Sequence, residues 1–228
     1  MPLRGSGCAK GNALMEAMEE VAGGIERWRG PGGARYGSNA EHGVINFLSR
    51  HPSQDGDAEL SVQGGSNDSL SLFGTAGTTL RGEDLSTHGI RASFASIHDG
   101  GFRFSSGLDQ QKGRLRYDFE TLDTRVRTTL TAVNTNQETA GYVNGYKSYK
   151  DRAHFKTNAD PDAYRDAWAV RAAMRVEHDL ADDLMLVLTP YARKNDMEFL
   201  MHFLPGTPTE TNGHWSGGLL SSLIADLD

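Results

Sequence analysis

The residues best suited to chemistry gather in one stretch of this sequence, 135–165. Tyr142, Tyr146 and Tyr149 stand there among Lys147, Lys150, Arg152 and His154. Phenol rings beside cationic side chains can hold an anionic ligand through charge-assisted hydrogen bonds and cation–π contacts. The same composition also suits an ordinary polar loop whose tyrosines rest at a membrane interface. A second segment, Gly30-Pro31-Gly32-Gly33, has the glycine density of a phosphate-binding loop. No Gly-Lys-Ser or Gly-Lys-Thr follows it and no helix opens after it, so both nucleotide fingerprints fail. The 8 histidines lack paired metal-ligand spacing. Gly5-Ser6-Gly7 reads as a flexible turn rather than a nucleophile elbow. One Cys excludes an internal disulfide framework and any multi-thiolate metal site. No catalytic residue, metal site or cofactor follows from these patterns. The chemistry on offer is binding.

Composition narrows the class further. With 23 Lys plus Arg against 30 Asp plus Glu the net charge is −7, without the basic stripe of a nucleic-acid binder. Hydrophobic content of 37% over 228 residues is low for a packed core. The longest apolar run, Leu184 to Leu188, is far short of the roughly 18 residues that suggest a membrane helix. A membrane barrel stays open, because only every second residue of its strands faces lipid. Met1 to Cys8 shows neither the basic start nor the apolar stretch of a secretory signal. Taken literally that implies the cytosol, and the remaining pattern disputes it.

The elements that must position these side chains divide near residue 57. Before it, Asn12 can cap a short helix carrying Leu14, Met15, Met18 and Val21, which Gly23-Gly24 would end. Ile25 to Tyr36 then suits a tight turn, and Gly43 to Leu48 reads as a short buried strand. From residue 58 the period becomes two. Strands are expected over 58–66, 69–80, 88–98, 111–120, 124–134, 166–178 and 183–194, with an eighth beginning near Trp215. In the clearest case Trp168, Val170, Ala172, Met174 and Val176 share one face while Arg171, Arg175 and Glu177 share the other. Short connections fall at Glu120–Thr124 and Leu180–Asp183, long ones at 135–165 and 195–214. Short turns on one side and long loops on the other describe an outer-membrane meander. A soluble sandwich would also alternate, but its connections would not sort by side.

Residues 25–46 add a specific motif: Ile25-Glu26-Arg27, Arg29-Gly30-Pro31, Tyr36-Gly37 and Gly43-Val44-Ile45-Asn46. This order resembles the end of the plug domain of TonB-dependent outer-membrane receptors, in which barrel strands follow directly. Met1 to Gly11 resembles an earlier plug segment. Trp28 departs from the smaller apolar residue the resemblance leads one to expect.

The resemblance implies a mainly β fold: an antiparallel up-and-down meander from a plugged transmembrane β-barrel, with a small α+β plug remnant at the N-terminus. Residues 1–52 would be the C-terminal part of the plug, and 53–228 the first seven to eight barrel strands. It implies structural or gating roles for Glu26, Arg29, Gly30, Pro31, Tyr36, Gly37, Gly43 and Asn46, with Glu26 and Arg29 among the charges that hold plug to wall. Tyr142, Tyr146, Lys147, Tyr149, Lys150 and Arg152 become candidate ligand contacts. Met197 to Leu204 would pack on the plug or form a strand rim, and Trp168 and Tyr191 could belong to aromatic girdles. The implied function is uptake of a scarce solute, a ferric siderophore by family frequency, with vitamin B12, haem and saccharides open. No enzyme activity is implied. The partners would be the TonB energy-transducing complex, an extracellular ferric chelate and the lipid bilayer of a bacterial outer membrane, with no nucleic acid. A plugged transporter needs about 22 strands, so the sequence reads as an internal piece, with signal peptide, TonB-contacting segment and terminal aromatic missing. A complete eight-stranded barrel and a soluble β-sandwich binding module are the alternatives.

Overall fold

The computed structural model describes residues 22–30 and 43–226. The helix expected from Asn12 and the motif residues Pro31, Tyr36 and Gly37 lie outside these described residues. No helix among the described residues is long and apolar enough to cross a membrane, which says nothing about a β-barrel.

Two antiparallel sheets form. The small one pairs β1 (Ala22–Arg29) with β2 (Gly43–Ser49), setting Ile25 opposite Phe47 and Trp28 opposite Val44. The expectation of a helix end at Gly23-Gly24 and of a turn already at Ile25 is corrected here: Gly23-Gly24 and Ile25 to Arg29 belong to β1. The reason is cross-strand apolar pairing, which outweighs the local glycine signal. Two glycines at the facing ends of these strands need their conformational freedom. Gly30 has φ +93, and Gly43 has φ +156 with its Cβ position only 2.8 Å from the Trp28 carbonyl oxygen.

The large sheet has eight strands in sequence order. They are β3 (Asp57–Gly65), β4 (Ser69–Arg81), β5 (Thr87–Asp99), β6 (Leu108–Glu120), β7 (Thr124–Glu138), β8 (Tyr164–Ala181), β9 (Leu184–Leu200) and β10 (Thr209–Ala225). Every neighbouring pair is antiparallel. The sheet stays open, with β3 and β10 as its edges. That sets aside the closed eight-stranded barrel.

Polarity across this sheet is inverted relative to a soluble protein. Ladder register puts Ala92, Leu115, Leu130 and Ala172 in one row. Leu115 and Leu130 in that row are exposed, as are Ile90, Phe94 and Val170 on the same face. On the other face Arg91, Ser93, Lys112, Arg116, Thr131 and Arg193 are buried. Among the described residues no second apolar layer, as a sandwich requires, covers the apolar face.

One expectation about extent changes. The loop expected over 195–214 is mostly strand, because β9 runs to Leu200 and β10 starts at Thr209. Beyond Trp168 and Trp215 the exposed face turns polar, with Asp166, Asp196 and Glu198 sharing its parity. The alternation that marked the strands therefore ends before the strands do. Connections sort by side: 82–86, 121–123 and 182–183 at one end, and 66–68, 100–107, 139–163 and 201–208 at the other.

Candidate functional site

Two places combine charge, burial and irregular backbone. The first lies at the short-turn end, where the chain passes from β2 to β3. Arg91 of β5 and Arg116 of β6 face each other across the ladder, and their side chains are 4% and 3% exposed. Arg91 donates from Nε to the His51 carbonyl at 3.0 Å, from Nη1 to Thr75 Oγ1 at 3.2 Å and from Nη2 to the Asp57 carboxylate. Arg116 donates to the Ser49 carbonyl at 2.7 Å and the Arg50 carbonyl at 3.3 Å. It also reaches His51 Nδ1 at 2.8 Å and Asp118 Oδ2 at 2.7 Å. Gly89 leaves the space that Pro52 fills, since a Cβ there would stand 2.9 Å from the proline ring.

A buried guanidinium is tolerated only when its donors are met. Here the backbone of 49–51 and two carboxylates meet them, so the strap 49–57 is fastened to the wall by charge-assisted bonds. His51 is held below the usual imidazole pKa by partial loss of hydration and then by the Arg116 and Arg127 guanidiniums, against the pull of Asp118. Neutral His51 is thereby free to accept from Arg116. The exposed Arg50–Glu59 pair at 3.0 Å adds little, about 0–1 kcal/mol.

The second place is the long-loop end. Arg103, on the 100–107 loop, donates through Nε at 3.0 Å and Nη2 at 2.6 Å to the Thr157 carbonyl, and through Nη1 to the Gly141 carbonyl. Asn158 Nδ2 donates to the Ser105 carbonyl at 2.9 Å, the Phe104 amide donates to the Lys156 carbonyl, and Phe102 stacks on Phe155 with centroids 5.4 Å apart. At the tip of the 139–163 loop a single 3-10 turn spans Ser148–Lys150. Lys147 lies 5.0 Å over the Tyr146 ring and Lys150 5.7 Å over that of Tyr149. Lys147 precedes the turn in the left-handed region, with φ 55 and ψ 26. Asp151 is kept below the ordinary carboxylate range by the Ala153 N–H and then by His154.

The expected ligand residues therefore share one loop. Tyr142, Tyr146, Lys147, Tyr149, Lys150 and Arg152 are all exposed there. Of the expected plug residues within the described parts, Gly30 ends β1, Gly43 opens β2, and Asn46 donates to Glu26 at 3.0 Å across the pair. Arg29 is exposed at the end of β1. Trp168 lies on the exposed face with Lys194 5.7 Å over its ring. Tyr191 does not join it: register puts it on the buried face opposite Gly218, whose Cβ position its hydroxyl approaches to 2.7 Å. Met197 to Leu200 lie in β9, with only 201–204 in a loop.

Sequence reading missed the three arginines that organise these places. Arg91 and Arg116 carried a signal, being cations on the polar face of strands next to the chain's entrance to the sheet. Arg103 carried none, because its partners lie 38 and 54 residues away.

No family model matches the sequence, and no curated protein matches it. Solved structures do. The ferric-catecholate import receptor Fiu of E. coli K12, in its open form, superposes with TM-score 0.64 at 18% identity, over 88% of this chain and 36% of that one. The siderophore receptor PiuA of Acinetobacter baumannii gives 0.70 at 13% identity, over 91% and 33%. The chain shares the fold of siderophore receptors. The ferric preacinetobactin receptor BauA of the same species gives 0.67 at 16% identity, over 80% and 28%. The chain thus spans about a third of the length of the siderophore receptors it matches. The likeness first read in residues 25–46 is met by a mainly β, antiparallel fold whose neighbours are β-barrel receptors.

Proposed function

We propose that this chain is part of a TonB-dependent receptor of a bacterial outer membrane, serving uptake of a ferric siderophore. Residues 1–52 would be the end of the plug and 53–228 the first strands of the barrel wall. The observation that carries this is the inverted sheet. Apolar residues exposed in continuous rows beside buried arginines suit lipid outside and a polar interior inside, and the fold is one that import receptors have. The short-turn end, where the strap joins the wall, would face the periplasm. The long-loop end would face outward and meet the ligand.

The neighbours' ferric chelates favour iron over vitamin B12, haem or saccharides. Tyr142, Tyr146, Tyr149, Lys147, Lys150 and Arg152 would contact an anionic chelate. Glu26, Arg29, Gly30, Pro31, Tyr36, Gly37, Gly43 and Asn46 would shape the plug end that gates release. The TonB complex would supply the energy, and no bond chemistry is needed. Disrupting the coding segment in the native host should abolish uptake of the iron(III) chelate it normally imports, and restoring the whole reading frame should recover it. Cells producing only these 228 residues should take up none. Unchanged uptake after disruption, or uptake by the 228 residues alone, would overturn the reading.

A further inference from the structure

The 139–163 excursion is closed at its neck by a residue that belongs to another hairpin. Gly141 stands near its start and Thr157 near its end, and Arg103 binds both carbonyls at once. The Thr139 amide donates to the Ala163 carbonyl at 2.8 Å just below, and Ala163 is 1% exposed. Asn158, Phe104 and the Phe102–Phe155 stack add cross-loop contacts on the same side of the neck. A loop of this length with open stems would sample many arrangements, whereas a neck joined by a planar, multidentate guanidinium gives a compact loop with a fixed base.

We propose that Arg103 is the positioning residue of the capture loop: it binds the 100–107 and 139–163 loops into one body and thereby presents the Tyr-Lys tip to ligand. This rests on the uptake reading for the ligand's chemistry, an anionic iron(III) chelate, but the staple itself does not. The consequence is specific. The tip does not swing as an independent lid; displacement of one loop carries the other.

Lysine cannot replace the staple, since one ammonium cannot serve both carbonyls with the same planar fork. Trypsin offers the first readout, because Lys147, Lys150, Arg152 and Lys156 all lie between the stapled carbonyls. Cleavage there requires the loop to open locally. With the product of the whole reading frame folded in detergent micelles, Arg103→Met should speed cleavage within 147–156 about tenfold, a factor set by losing charge-assisted bonds. Arg103→Lys should behave nearly as Met does. Arg165→Met, a change in the wall just beyond the loop, should leave the rate near that of the parent and so controls for general loosening. The second readout is binding of a ferric tris-catecholate, followed by fluorescence, whose dissociation constant should rise about tenfold in Arg103→Met with the thermal midpoint unchanged. Equal cleavage rates in parent and Arg103→Met would overturn the staple, as would full rescue by Lys. A parent product of the whole reading frame that binds no chelate, while Arg103→Met still speeds cleavage, sinks the uptake reading and leaves the staple standing.

Discussion

Arg116 shows what a single side chain does in this fold. Its guanidinium meets two backbone carbonyls, His51 and Asp118 while 3% exposed. Removing it strands a carboxylate and two carbonyls at the strap, so Arg116→Met should cost about 3 kcal/mol in urea unfolding from micelles. Adding Asp118→Asn should recover part of that loss, because the pair is coupled. A loss below about 1 kcal/mol would mean the strap is held elsewhere. His51 adds a pH dependence. Its pKa is depressed on folding, so the unfolded chain takes up the proton first. Stability is therefore full above the ordinary imidazole value of about 6.5 and falls as pH drops through the lower folded value. His51→Gln should flatten that acid-side slope, read from urea midpoints between neutral and mildly acid pH.

At the scale of elements, the strands were legible wherever lipid-type alternation lasted. Leu115, Tyr117 and Phe119 against Arg114, Arg116 and Asp118 fix β6 from sequence alone, as Trp168 to Val176 fix β8. The upper ends of β9 and β10 were not legible, because Asp196 and Glu198 put polar groups on the face that is apolar lower down. Nor was β1, where Gly23-Gly24 imitates a helix stop and only pairing with β2 reveals a strand. The loop proposed to meet ligand stands out by composition, but its neck does not, since nothing local ties Arg103 to Gly141 and Thr157. The same ladder yields an element-level prediction. Leu130→Arg, on the exposed apolar row, should destabilise the chain by about 2–4 kcal/mol in a bilayer. Thr128→Val, at the same parity, should be close to neutral. If Leu130→Arg is equally mild in denaturant titrations from lipid vesicles, that row does not face lipid.

The whole molecule combines an open sheet edged by β3 and β10, a fold shared with receptors about three times as long, and an exposed apolar sheet face. An edge of 17 residues such as β10 invites pairing with another strand. Further strands of a longer wall are the proposed occupant, which is why isolated chains should associate unless kept dilute in micelles. Everything functional in this account depends on which face of the sheet meets lipid. The direct measurement is a spin-label scan of β7 from Val126 to Val133, one cysteine at a time, with Cys8 replaced by Ser, in native outer-membrane vesicles. Oxygen, which concentrates in lipid, should relax labels at 126, 128, 130 and 132. A water-soluble nickel chelate should act instead at 127, 129, 131 and 133, wherever the buried face leaves room for it. The reverse alternation, or nickel access at the even positions, would contradict a membrane wall and with it the receptor function.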